Sequence, residues 1–349
     1  MKKIIMLIAF AVILCGCKNS NLNKTEYTTS QKTEEQKASN ELFAMDTYME
    51  ITAYGENAKK AVDEATARIN ELDNMLSTGN SESEVSKLNS EKKLTLSEDV
   101  GNIMEQSLEI SESTGGAFNP AIYPIMQLWG FDTKNYKIPD EKELNKALQN
   151  INESKIEYNK ETRVAKLGKK MKIDFGGIAK GYTSSEIMKI FDANGIKSGL
   201  VSLGGNVQAL GCKTDKSKWK VAIQNPDNEE DYIGVLAIEN KAVITSGGYE
   251  RYFENNGKIY HHIIDPATGY PADSGLKSVT IVSEDGTLAD GLSTSLFIMG
   301  LDKAKEYWQK NSQKFDAILL TNDNKQYVTE GIYNDYSTDY PVEEIKKEN

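Results

Sequence analysis

The chain has two histidines in 349 residues, His261 and His262, adjacent in YHHIIDPATGYP. Consecutive side chains on a strand point to opposite faces, so one imidazole faces a site and the other does not. Without a cysteine partner or a third histidine the pair makes a poor zinc site. General-base work is the functional use left for one of them, and packing or hydrogen bonding is the structural one. Asp290 and Thr294 in LADGLSTSL stand four apart, which on a helix puts a carboxylate and a hydroxyl on one face. Hard oxygen donors of this kind suit Mg²⁺ or Ca²⁺ rather than zinc. Two side chains do not fill an octahedron, so a glycine-turn carbonyl, water and substrate phosphate oxygens would complete it. Helix capping by Asp290 is the competing structural explanation.

Two glycine turns add to this. In IDFGGIAKGY a strand is expected to end at Asp174, Gly176-Gly177 turn the backbone, and a helix begins with Lys180 in its first turns. Backbone N–H groups at such a turn can hold phosphate, and Lys180 adds positive charge. A plain strand-to-helix turn explains the segment equally well, and GxxxxGK[ST] is absent. VSLGGNVQALG, residues 201–211, reads either as a close approach to a ligand or as a hairpin with a glycine bend.

The elements that must hold these groups are legible from periodicity. Val62, Ala65, Ile69, Leu72 and Leu76 share one helical face. Ser97 caps a second helix that stops at Gly115-Gly116, and Asp140 with Glu143 starts a third. The second half is rich in strands: MKIDF, GLVSL, WKVAIQ, IGVLAI, AVIT, ERYF and KIYHHIID around Asn-Asn-Gly, SVTIVS, then FDAILL and KQYVT. Helices are expected over LADGLSTSLFIMG and near residues 302–311. Strands without regular βα alternation predict an α+β fold of mixed and antiparallel sheets with packed helices. Its size fits one large domain or two closely packed lobes.

Lys2 and Lys3 precede an apolar run, Ile4–Leu14, too short for a spanning helix and suited to a secretory signal. It ends in LCGC, the pattern of a bacterial lipobox, so residues 1–16 read as a lipoprotein signal with Cys17 lipidated. An ordinary signal peptide or a short membrane anchor is the alternative. Residues 17–40 are polar and read as a flexible tether, 41–340 as the folded domain and 341–349 as a charged tail. This predicts a lipid-anchored protein on the extracytoplasmic face of the cell membrane, or in the periplasm. Processing leaves Cys212 as the one free thiol, which excludes a disulfide framework. The net charge is −11, or −13 once Lys2 and Lys3 are removed, which argues against nucleic acid while allowing a local phosphate site.

Taken together and in order, these segments resemble the ApbE family, the FAD:protein FMN transferases. The matching pieces are MDTYMEI (45–51), GGAFNPAIYPIMQLWGF (115–131), IDFGGIAKGY (173–182), LVSLGGNVQALG (200–211), ITSGGYERYFENNGKIYHHIIDPATGYP (244–271) and ADGLSTSLF (289–297). They cover essentially all of residues 42–330. The resemblance implies transfer of FMN from FAD, with Mg²⁺, onto a threonine hydroxyl of a partner flavoprotein, releasing AMP. It implies metal ligation by Asp290 and Thr294, with Ser293 nearby and the backbone oxygen of Gly177. FAD contacts are implied for Met45, Ala117, Phe118, Asn119, Asp174, Lys180 and Ile264, and proton transfer for His262. Phe118 and Trp129 are stacking candidates, with a core role for Trp129 the alternative.

Three positions depart from the family pattern. Asp46 replaces a glycine, Asn119 stands where aspartate is frequent, and Gly79 occupies a place often held by tyrosine. An FAD pyrophosphatase would use the same site with water as the nucleophile. A flavin-binding lipoprotein would not need the Asp290/Thr294 pair. The expected partner is a membrane redox subunit or a secreted flavoprotein.

Overall fold

A computed structural model describes residues 36–348. The signal sequence, Cys17 and most of the tether lie outside the described residues. Nine strands form the main sheet and run in chain order across it: β1 (Lys37–Ala44), β2 (Thr47–Tyr54), β3 (Ser198–Leu203), β4 (Asn206–Leu210), β5 (Ala242–Gly247), β6 (Leu276–Ser283), β7 (Asp316–Thr321), β8 (Gln326–Thr329) and β9 (Val342–Ile345). Every neighbouring pair is antiparallel except β8 and β9, which are parallel. The α+β expectation holds, and the described residues belong to one compact unit.

Alternation explains how the sheet is buried on both faces. On β5, β6 and β7 the residues Ile244, Ile281 and Leu319 face the helices. Their neighbours Val243, Val282 and Leu320 face the other way, onto a three-stranded sheet that contributes Trp219, Val221 and Leu236. The helix side carries α1 (Ala58–Leu76), α2 (Glu98–Ser113), α3 (Ala179–Ala193), α4 (Gly286–Met299) and α5 (Leu301–Asn311). Val62, Ala65, Ile69, Leu72 and Leu76 of α1 are buried, as the periodicity predicts. Ala61, Val62, Ala65 and Ile69 join a cluster with Met49, Ile51 and Val201 of the sheet. Ser97 caps α2 through Val100 N, and Asp140 caps the helix Glu141–Leu148 through Lys142 N and Glu143 N.

Two expectations need correction. MKIDF forms no strand. The Asn89 side-chain amide takes both the N–H and the C=O of Ile173, at 2.7 and 2.8 Å, and Asp174 N donates to Pro120 O at 2.9 Å. A side chain and a proline carbonyl thus satisfy the backbone that a neighbouring strand would have paired. The domain boundaries also widen. β1 begins at Lys37, inside the expected tether, and β9 lies inside the expected tail, pairing Gln326↔Val342 through Thr329↔Ile345. Both segments carry several polar residues, so their composition resembles linker while they complete the edges of the sheet.

Candidate active site

A cavity of about 580 Å³ opens where two hairpin turns, the start of α3 and the inner face of α4 converge. The turns come first. β1 and β2 are joined by Met45 and Asp46, both at positive φ (48° and 59°), between the paired residues Ala44 and Thr47. This two-residue, left-handed turn matches the twist of the flanking strands. It accounts for Asp46 at a position where the family pattern has glycine, because aspartate tolerates the left-handed region. β3 and β4 close through Gly204 and Gly205, also at positive φ (61° and 92°), so VSLGGNVQALG is a hairpin, and Gly204 lines the cavity as well.

The helical wall is built by contact between α3 and α4. A Cβ placed on Gly181 would lie 2.2 Å from Gly286 O and 2.6 Å from Asp290 Cβ, so the helices meet backbone to backbone there. Asp290, 4 % exposed, accepts the Gly181 N–H through Oδ2 at 2.8 Å. A carboxylate against a helix N-terminus is a favourable pairing. Asp290 therefore does not cap its own helix. Asp285 does, through Thr287 N and Leu288 N. Thr294 lies on the same face as Asp290, and a Cβ on Gly177 would come within 3.9 Å of its Oγ1. Ser246 on β5 contacts Thr294 Oγ1 at 3.3 Å and Ser293 Oγ at 2.8 Å. Ser293 is fully buried behind this wall and also donates to Asp290 O. These carboxylate and hydroxyl oxygens have the chemistry of a hard-cation site.

The remaining predicted residues divide clearly. Met45, Ala117, Phe118, Asn119, Asp174, Lys180, His262 and Ile264 line the cavity with Gly177, Asp290 and Thr294. Asn119 is already committed: Nδ2 donates to Ile151 O and Glu153 Oε2, and Oδ1 accepts from Ala121 N. An aspartate would turn a carboxylate onto those two acceptors, which explains asparagine here. Burial pushes the Asp174 carboxyl up, although Gly176 N–H and the charge of Arg251 oppose the shift. In the turn itself, Gly176 N is spent on Asp174, and Ile178 N and Ala179 N on Phe175 O. Trp129 is core. It is fully buried, its Nε1 donates to Gly269 O, and it packs on Tyr260 and Phe253. Thr78, rather than Gly79, reaches the cavity.

The two histidines face apart. His262 lines the cavity, and its Nδ1 lies 3.1 Å from Arg251 O. A carbonyl can only accept, so Nδ1 carries the proton and Nε2 holds the free lone pair. Burial holds this imidazole down to about 3, with the charge of Arg251 acting in the same direction, so it is neutral at pH 7. His261 turns inward to Ala272 O and packs edge-on against Phe297.

Sequence reading missed Ser246, Arg251 and Glu250, all cavity-lining. They lie within the matched segment ITSGGYERYF, but no spacing marked them individually. Arg251 and Lys180 are the two cations among the described lining residues. The Glu250 carboxyl, open to the cavity on one side, is pushed up to about 7, first by burial and further by Asp290, against the pull of Lys180 and Arg251.

The sequence model of the ApbE family matches residues 45–319. This chain belongs to the ApbE family. A protein of Treponema pallidum called FAD:protein FMN transferase is 33% identical over 247 residues, covering 66% of this chain and 67% of its own length. One of the same description from Haemophilus influenzae is 29% identical, covering 78% and 82%. Among solved structures, the ApbE protein of Thermotoga maritima superposes with a TM-score of 0.80 at 30% identity, covering 85% of this chain and 98% of that one. A mutant of the flavin transferase ApbE from Vibrio cholerae gives 0.74 at 26% identity, covering 84% and 97%.

Proposed function

We propose that this ApbE-family protein is an FAD:protein FMN transferase that moves FMN from FAD onto a threonine hydroxyl of an acceptor flavoprotein and releases AMP. The observation that carries this reading is the single cavity itself. It joins two cations, a set of hard oxygen donors and a neutral imidazole with its Nε2 unengaged. Asp290, Thr294 and the backbone of Gly177 are the residues that would hold Mg²⁺, with Ser246 and Ser293 fixing the hydroxyl side of the site. When bound, the ion neutralises charge on the phosphate oxygens.

The chain's own groups supply the rest. Lys180 and Arg251 offset the charge of the pyrophosphate. Phe118 and Met45 offer apolar surface to the flavin end. His262 takes the threonine proton at Nε2 while Nδ1 stays on Arg251 O, so the ring does not reorient during the step. Phosphate oxygens beside the ring would favour the imidazolium that forms. The bond made is threonine O to the FMN phosphorus, and the bond broken is from that phosphorus to the AMP oxygen.

The same reading puts the enzyme on a lipid anchor at Cys17, on the extracytoplasmic face of the membrane, beside membrane redox subunits. The test uses the full chain in detergent with FAD, Mg²⁺ and the FMN-free acceptor domain of a membrane redox subunit. Covalent FMN on a threonine by mass spectrometry, with AMP released and both lost on Asp290→Ala or EDTA, supports the transferase. FMN and AMP free in solution beside an unmodified acceptor would replace it with an FAD pyrophosphatase.

A further inference from the structure

A transferase whose nucleophile belongs to another protein needs a surface beside the cavity mouth on which that protein can sit. The β1–β2 hairpin carries such a surface directly behind its tip, where Met45 and Asp46 line the cavity. One cross-strand pair back from Ala44↔Thr47, Phe43 faces Tyr48, and these side chains are 70 % and 56 % exposed. They are the two most exposed large apolar or aromatic residues among those described, apart from Ile259, which equals Tyr48. Two pairs further back, Glu41 stands directly opposite Glu50, and both are exposed. These residues alternate along the two strands, so all four share one face of the hairpin.

The acidic half of this arrangement is unfavourable in the free protein, and the aromatic half leaves two large rings facing water. Like charges directly opposite on an antiparallel pair destabilise it. Neither glutamate has an ion-pair partner among the described residues. The Tyr48 hydroxyl leans on Glu41 and is pushed up to about 12 by that contact, so it stays neutral and leaves the charge of the two carboxylates in place. An uncompensated acidic pair beside two exposed rings breaks local rules of strand design where no core gains from it, and such exceptions concentrate at functional sites.

We infer that Glu41, Phe43, Tyr48 and Glu50 form the docking surface for the acceptor flavoprotein. The segment that fits them presents a lysine or arginine to the two carboxylates and an apolar side chain to the two rings, next to the threonine that enters past Met45 and Asp46. The charge pattern decides the partner's chemistry. A basic group relieves the Glu41–Glu50 repulsion, and an apolar neighbour covers the exposed rings. This inference rests on the transferase reading.

The experiment measures FMN transfer by the full chain to the FMN-free acceptor domain as acceptor concentration and salt are varied. FAD affinity is followed separately by flavin fluorescence. The double variant Glu41→Lys/Glu50→Lys is expected to raise the acceptor KM about tenfold, with kcat and FAD affinity unchanged, and to flatten the salt dependence. Phe43→Ser should raise the same KM without altering the salt slope, and Phe43→Tyr should restore it. An acceptor KM that stays at the wild-type value in both variants overturns the assignment. So does an unchanged KM accompanied by lost binding to phosphatidylglycerol vesicles, or by a shift from dimer to monomer in sedimentation. Those two results would give the face to lipid or to a second copy. Absence of transfer by the wild type would instead sink the transferase reading, and this surface with it.

Discussion

Asp290 Oδ2 accepts the backbone N–H of Gly181 at 2.8 Å, so one carboxylate both closes the contact between α3 and α4 and faces the cavity. The two roles separate by substitution. Asp290→Asn keeps an oxygen for the Gly181 N–H but loses the charge. It should melt near the wild-type temperature while transfer falls by about 10²–10³-fold. Asp290→Ala leaves that buried N–H without a partner, which should also cost about 1–3 kcal/mol in urea unfolding. Gly181→Ala drives a methyl into Gly286 O and should be the most destabilising of the three, at about 3 kcal/mol.

The histidines should separate just as sharply. His262→Gln is expected to lower kcat by about 10²–10⁴-fold with little change in FAD affinity. His261→Ala loses the bond to Ala272 O and the contact with Phe297, and should cost stability of about 1 kcal/mol without a comparable loss of kcat. Full transfer by His262→Gln alongside an inactive His261→Ala would reverse the assignment.

His262 also gives stability a pH dependence with a definite sign. Its folded value of about 3 lies below the ordinary 6.5, so between these the unfolded chain binds the extra proton. The contribution is fully present above pH 6.5, falls away as pH drops through that window, and is gone below about 3. Urea unfolding at pH 7 and pH 5 should show this loss, reduced in His262→Gln.

Glu250 predicts a pH effect on the substrate. Its carboxyl, pushed up to about 7, repels phosphate when ionised and competes for Lys180. FAD affinity should strengthen as pH falls through about 7 in the wild type and stay flat in Glu250→Gln. Parallel slopes in fluorescence titrations would show that another group controls the dependence.

At the hairpin tip, backbone and ligand contact can be told apart. Asp46 has φ of 59°, which glycine adopts freely and a β-branched residue resists. Asp46→Val should lower stability by about 1–2 kcal/mol, while Asp46→Gly should be tolerated. FAD affinity of Asp46→Gly then reports the carboxylate alone.

The sequence by itself determined the chemistry and much of the scaffold. Residue type and spacing put Asp290 and Thr294 on one helical face, Lys180 at a helix start and one histidine of the adjacent pair toward the site, although His262 lies just past the strand Lys258–His261 rather than on it. Apolar periodicity determined α1, and end signals determined where α2 stops. These are local properties, written within a few residues of the chain. Tertiary structure alone decided what depends on distant partners. MKIDF looks like a strand by composition, yet Asn89 and Pro120, 84 and 54 positions from the residues they bond, take its backbone groups. Asp290 looks like a cap until α3 arrives to offer Gly181 N–H. The titration of His262 and Glu250 comes from burial and from charges on other segments, which no local pattern records. Ser246 and Arg251 enter the site because β5 runs beside α4 and the next turn folds back over His262. The polar ends of the domain become strands because the sheet has edges to pair, and that is a property of the assembled fold rather than of their composition.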